Sequence, residues 1–133
     1  ILLAPDVVLD VLLARAPHAE AAARLLDRAV RGAVEALVSA DTVALAWRVA
    51  DQVADAPAAR GLVEQLLALV PVAPLDGSVL LGALASPIAD PDAALLEATA
   101  QAGRATVIAS RLADAFAGGT LPVQTPAALL RDG

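Results

Sequence analysis

Four carboxylates in this 133-residue chain stand where apolar runs give way to helical patterns. Asp6 follows Ile1 to Ala4, Asp41 follows Ala33 to Ala40, and Asp114 follows Ala105 to Ala109, while Asp92 lies in the first turn of a helix opened by Asp90 and Pro91. Carboxylates gathered in one place hold hard divalent cations such as Mg²⁺ or Mn²⁺, which activate water and neutralise charge building on a phosphate. Composition removes most other chemistries. The chain has no cysteine, so thiolate ligands and nucleophiles are absent, and its single His18 excludes a multi-histidine zinc site or a serine, histidine and aspartate triad. Gly118-Gly119 lacks the lysine and following helix of a phosphate-binding loop.

The elements that would carry these acids alternate. Ile1 to Ala4 reads as a short buried strand, and Pro5 suits the first turn of a helix from Pro5 to Ala14. A second helix runs from Pro17 to about Arg31 and ends at Gly32, with an apolar stripe of Ala22, Leu25, Leu26, Ala29 and Val30. Ala33 to Ala40 is a strand, and Asp41 caps a helix through Asp51 that turns Val43, Ala46, Trp47, Ala50 and Val53 inward. A helix from Ala58 to Leu69, a short strand within Val70 to Leu75, and a helix around Val79 to Leu84 capped by Asp76 continue the rhythm. Asp90 caps the next helix and Gly103 stops it. Ala105 to Ala109 is a buried strand, Leu121 to Gln124 an edge strand, and Thr125-Pro126 opens a tail helix.

This order predicts an α/β fold, a three-layer α/β/α sandwich with a central parallel sheet, formed as one domain over residues 1–133. In such sheets ligands gather outside the carboxyl ends of the strands, where Asp6, Asp41 and Asp114 fall. A net charge of −6 argues against a broad basic surface, so no DNA contact is expected. Gly77 to Ala89 is too short and too interrupted to span a bilayer, and no secretory pattern is visible, so a cytoplasmic protein without membrane contact is expected. Arg24, Arg28 and Arg31 share one helix face, but Glu20 and Asp27 stand four residues before Arg24 and Arg31, the spacing of solvated ion pairs. His18 reads as a surface residue and Trp47 as a core anchor.

Four blocks carry a family resemblance. Ala4-Pro5-Asp6-Val7-Val8-Leu9-Asp10 is similar to an Asp-Thr-Asn-Val-Leu-Leu-Asp motif, with Ala4 in place of the first acid. Ser39-Ala40-Asp41-Thr42-Val43-Ala44-Leu45 is similar to Ser-Ala-x-Thr-x-Ala-Glu, with Leu45 in place of the acid. Asp90-Pro91-Asp92-Ala93 resembles Asp-Phe-Glu-Asp-Ala, its acidic position falling on Asp92 or its neighbour Ala93 and assigned to Asp92. Ala109 to Ala115 is laid over a Thr-Arg-Asn-Leu-Lys-Asp-Phe block, keeping Asp114 and placing Arg111 where Asn or Asp is usual. With the closing Pro122 to Pro126, these features resemble the PIN-domain family, especially its VapC-type toxins, over nearly the whole chain.

The resemblance implies a metal-dependent endoribonuclease that holds Mg²⁺ or Mn²⁺ on three or four carboxylates. It also implies a dimer that binds a small antitoxin protein. With Ala4 and Leu45 in the acidic positions, the leading expectation is a degenerate centre with weak or lost activity, in which Arg111 serves as a cation in the cleft beside Asp92 and Asp114. The rival is a working ribonuclease acting on RNA, with Asp6, Asp92 and Asp114 catalytic and a shifted metal site of Asp6, Asp41, Asp92 and Asp114. A third reading is a non-catalytic dimerising or antitoxin-binding module. Against a metal role, Asp41 and Asp90 each have an alternative as helix caps.

Overall fold

In the computed structural model, residues 1–132 are described. Five short strands form one parallel sheet in the order β3-β2-β1-β4-β5, namely β1 (Leu2–Leu3), β2 (Leu37–Ser39), β3 (Val72–Ala73), β4 (Ile108–Ala109) and β5 (Val123–Gln124). Register is set by the central strand, where Leu2 pairs with Leu37 and Ile108, and Leu3 with Val38 and Ala109. Successive strand residues face opposite sides, and the apolar pairs therefore sort into two cores. Leu2 and Ile108 join Val79, Ala83, Ala93, Leu96, Ala100 and Phe116 on one face, while Leu3, Val38 and Ala109 join Val7, Val8, Ala22, Leu25, Ala46 and Leu66 on the other.

The helices follow from that division. On the second face pack α1 (Pro5–Leu12), α2 (Ala19–Val30), α3 (Ala40–Val53) and α4 (Ala56–Leu69), with α7 (Pro126–Asp132) against α2. On the first lie α5 (Gly77–Leu84) and α6 (Pro91–Ala102) with a single turn of 3-10 helix at Ala113–Phe116. This is the expected α/β/α sandwich. The paired strands are shorter than their apolar runs: of Ala33 to Ala40 only Leu37–Ser39 is paired, and Ala33 and Val34 form a bend after the turn at Gly32. No helix among the described residues is long and apolar enough to cross a membrane.

Local chemistry starts the helices. Asp55 and Asp76 accept hydrogen bonds from the Ala58 and Val79 amides at 2.8 and 3.0 Å, and the Thr125 hydroxyl accepts from Ala128 at 3.1 Å. The expectation that Asp41 caps α3 is corrected: the extended residue before the helix is Ser39, whose Oγ accepts from the Thr42 amide at 3.0 Å. Asp41 instead sits in the first turn. Asp90 occupies the cap position of α6 but its side chain makes no capping hydrogen bond.

Two other expectations change. Trp47 is not a core anchor: it is 43% exposed and lies beneath the Arg60 guanidinium, 5.1 Å from the ring centroid. The inward stripe of α3 is Thr42, Ala46 and Ala50, at four-residue intervals, which turns Trp47 and Val53 away. Replacing Trp47 with Ala should therefore change unfolding free energy by no more than about 1 kcal/mol in a urea titration, the scale of an exposed cation–π contact. A loss of several kcal/mol would mean that another surface covers the ring. The arginine face of α2 is the solvated one expected, with Arg24 on Glu20 at 2.9 Å and Arg31 on Asp27 at 2.8 Å.

Candidate functional site

The sheet order reverses at β1, since the chain moves outward to β2 and β3 and returns to place β4 on the other side. At that reversal the loops beyond the carboxyl ends diverge and leave a crevice. The chain has a cleft of about 400 Å³ there. Ala4, Pro5 and Asp6 enter it from the end of β1, Ser110 and Leu112 from the end of β4, and Asp41, Leu45 and Arg48 from α3. Asp92, Ala93 and Leu96 line it from α6 with Asp90 at that helix's cap position, and Ala115 and Phe116 line it from the 3-10 turn. Asp41, Leu45 and Arg48 share one helix face because they stand four and three residues apart.

The structure brings Asp6, Asp41 and Asp92 to this cleft and leaves Asp114 exposed on the 3-10 turn, outside its lining. Asp6 is already committed. Its two carboxylate oxygens accept from the Ser110 hydroxyl at 2.9 Å and from the Arg111 amide at 2.8 Å. Asp41, Asp90 and Asp92 are exposed at the mouth.

Arg111 does not enter the cleft as a counter-ion for Asp92 and Asp114. It pairs with Asp10, with Nε 2.8 Å from one carboxylate oxygen and a terminal nitrogen 3.0 Å from the other, and its Nε stands 3.9 Å from Asp6 Oδ2. Arg15 meets the same carboxylate, donating from Nε at 2.9 Å, and its second nitrogen donates to the Asp6 carbonyl at 3.1 Å. Burial works to raise the Asp10 carboxyl, yet the hydrogen bonds and charges of Arg111 and Arg15 outweigh it and hold the group below the usual carboxylate value. The Asp10 hydrogen bond correspondingly raises the Arg111 guanidinium against the opposing effect of burial. Geometry decides between the two pulls: a fork-on-fork contact is the strongest arrangement these groups offer.

Asp10 closes the first motif and has no chemical role assigned by residue type, although one local signal marks it. It stands one turn after Asp6, between the apolar residues Leu9 and Val11 of α1, where an unpaired charge would not be buried. Nothing local names its partner, because Arg111 is 101 residues away.

A divalent cation does not fit these donors. Among the described residues no group of three or more histidines, cysteines, aspartates or glutamates stands close enough to hold a metal ion. The oxygens of Asp6 and Asp10 are occupied by Ser110, Arg111 and Arg15, and the buried residues of the cleft lining are the apolar Ala4, Ala93, Leu96 and Phe116 and a Ser110 whose hydroxyl is already given to Asp6. Carboxylate count sets affinity for such cations, and a mouth of separated, exposed acids leaves the ion hydrated.

Comparison with known proteins agrees with this architecture. A solved structure of FitAB bound to an IR36 DNA fragment contains a chain of similar fold, with a TM-score of 0.73 and 22% identity over 94% of this chain and 94% of that one. VapBC2 from Rickettsia felis, bound to a DNA fragment from its promoter, gives a TM-score of 0.70 and 10% identity over 93% and 96%. FitAcB from Neisseria gonorrhoeae gives 0.67 and 21% over 94% and 96%. No curated protein matches the chain in sequence. The PIN domain family model matches residues 1–111, and the chain belongs to that family.

Proposed function

We propose that this chain is a toxin-like PIN protein of the VapC type that has lost metal-dependent ribonuclease activity and acts in the cytoplasm through an antitoxin partner and a second copy of itself. The observation that carries this reading is the state of the cleft, where Ala4 and Leu45 line the wall and Asp6 is bonded to Ser110 and Arg111. An apolar wall supplies no charge to draw in Mg²⁺ or Mn²⁺, and a carboxylate with both oxygens satisfied gains little by exchanging them for a cation. The rival ribonuclease built on Asp6, Asp41, Asp92 and Asp114 is disfavoured by Asp114, which does not line the cleft.

Apolar surface supports the partner role. α5 exposes Leu80, Leu81 and Leu84, the last at 82%, and an apolar groove of about 210 Å³ opens between α1, α2 and α4 along Val11, Leu12, Leu26 and Leu62. Surfaces of this kind are where chains associate. The similar FitAB and VapBC2 complexes were each solved on DNA, which corrects the expectation that DNA has no place beside this protein. With a net charge of −6, this chain would reach DNA through a basic partner rather than by its own surface.

The test is an RNA cleavage assay with Mg²⁺ and with Mn²⁺, run beside Asp92→Asn and Asp114→Asn variants. No cleavage above the protein-free control is expected from any of the three. Metal-dependent cleavage by the unaltered chain that either substitution abolishes would overturn the proposal and restore the shifted site. Sedimentation of the purified chain reports the second copy, with a dimer expected.

A further inference from the structure

The loss extends further than two acids. We propose that Ala93 and Leu112, rather than Asp92 and Asp114, occupy the third and fourth acidic positions, so that all four places where a PIN metal centre would stand are apolar in this chain. This rests on the family reading above and replaces its assignment of the last two positions.

Two observations support the new register independently. The family's fourth block has seven residues, from Thr-Arg-Asn to a closing Phe. Begun at Ser110 instead of Ala109, it places Ser110 on Thr, Arg111 on Arg, Leu112 on the Asn position that Arg111 had held, Ala115 on the Asp that Asp114 had matched, and Phe116 on Phe, so that neither acidic place of the block is acidic and both Leu112 and Ala115 line the cleft. Phe116 is 7% exposed in the core, and Ser110 is a buried hydroxyl bonded to Asp6, so both play the part their matched residue types suit. Leu112 then lines the cleft, and Asp114 does not.

On α6, Ala93 is 2% exposed and shares its inward face with Leu96, Glu97 and Ala100, at intervals of three, four and seven residues. Asp92 lies roughly 100° around the helix and is exposed. A side chain lengthened at position 93 would therefore project from the buried face into the cleft, whereas Asp92 reaches it from the rim. Ala4, Leu45, Ala93 and Leu112 come from four separate elements and all line this one cleft.

The two registers predict different repairs. If Asp92 and Asp114 are in position, Ala4→Asp with Leu45→Glu completes a metal site. If Ala93 and Leu112 hold those positions, that pair does not, and Ala93→Asp with Leu112→Asp must be added. Mn²⁺ titration by calorimetry of the wild type, the double variant and the quadruple variant decides it, with thermal unfolding in Mn²⁺ as a second readout. We expect no saturable binding at millimolar Mn²⁺ by the first two. The quadruple variant should bind at least about tenfold tighter, since carboxylates then stand at four cleft positions that were apolar, and Mn²⁺ should raise its unfolding midpoint.

Binding by the double variant that Asp92→Asn or Asp114→Asn abolishes would overturn the assignment, as would a folded quadruple variant that binds nothing. If the quadruple variant does not fold, Leu112→Asp alone is added to the double variant, at a residue 54% exposed. A gain in Mn²⁺ affinity then supports the assignment and its absence overturns it. Binding by the wild type would instead overturn the proposed loss of the site, so the two failures are distinguishable.

Discussion

Replacing Asp10 with Ala is expected to lower unfolding free energy by about 2 to 3 kcal/mol, and the thermal midpoint by about 10 °C. The side chain is 1% exposed and joins Arg111 at the end of β4 to Arg15 beyond α1, so its loss leaves two guanidinium groups without their shared acceptor. Both arginines are partly exposed, at 27% and 41%, and water recovers part of what a fully buried pair would lose. The pH dependence has a definite sign. Because the folded carboxyl titrates below its usual value of 3.8, its contribution is present above that value and fades as pH falls through the lower folded one. Urea titrations of the wild type and Asp10→Asn should therefore differ most at neutral pH and converge below pH 3.8. A difference that persists at the acid end would assign the effect to packing rather than charge.

Glu97 is the second position with a large expected effect. It is 4% exposed on α6, and its carboxylate accepts from the Thr120 amide at 3.1 Å and the Leu121 amide at 3.3 Å. Those amides lead into β5, so one side chain fixes the entry of the last strand. Glu97→Ala leaves both amides without their acceptor and should cost about 3 kcal/mol. Gly119 is tied to the same arrangement, since a Cβ there would strike Glu97 Oε2 and approach Ile88 Cδ1 to 2.9 Å. Gly119→Ala should cost about 2 kcal/mol by overpacking. In the Glu97→Ala background that cost should shrink by about 1 kcal/mol, because the atom it collides with is gone. Additive losses in the double variant would show that Gly119 is required by something other than the carboxylate.

Most of the fold was legible because its signals are local. The alternation of apolar runs with helical stripes predicted the parallel sandwich, and the caps at Asp76 and Thr125 stand where their residue types suggested. Asp41 misled because the helix starts two residues earlier than its type suggested, where Ser39 accepts from the Thr42 amide and leaves Asp41 inside the first turn. Trp47 misled because a large apolar side chain carries no information about which helix face is covered. The cleft was half legible: Ala4 and Leu45 stand in clear motifs, whereas the blocks around positions 93 and 112 tolerate a shift of one residue.

The sequence by itself determined the order of strands and helices along the chain and the absence of cysteine and multi-histidine chemistry, because each depends on residue type and on spacings of a few residues. Only the tertiary structure decided that Arg111 belongs to Asp10, that Asp6 is bonded to Ser110, and that Ala93 and Leu112 face one cleft with Ala4 and Leu45. Those relations join residues up to 108 positions apart, such as Ala4 and Leu112. No local periodicity encodes them; they arise when the sheet closes with β4 beside β1.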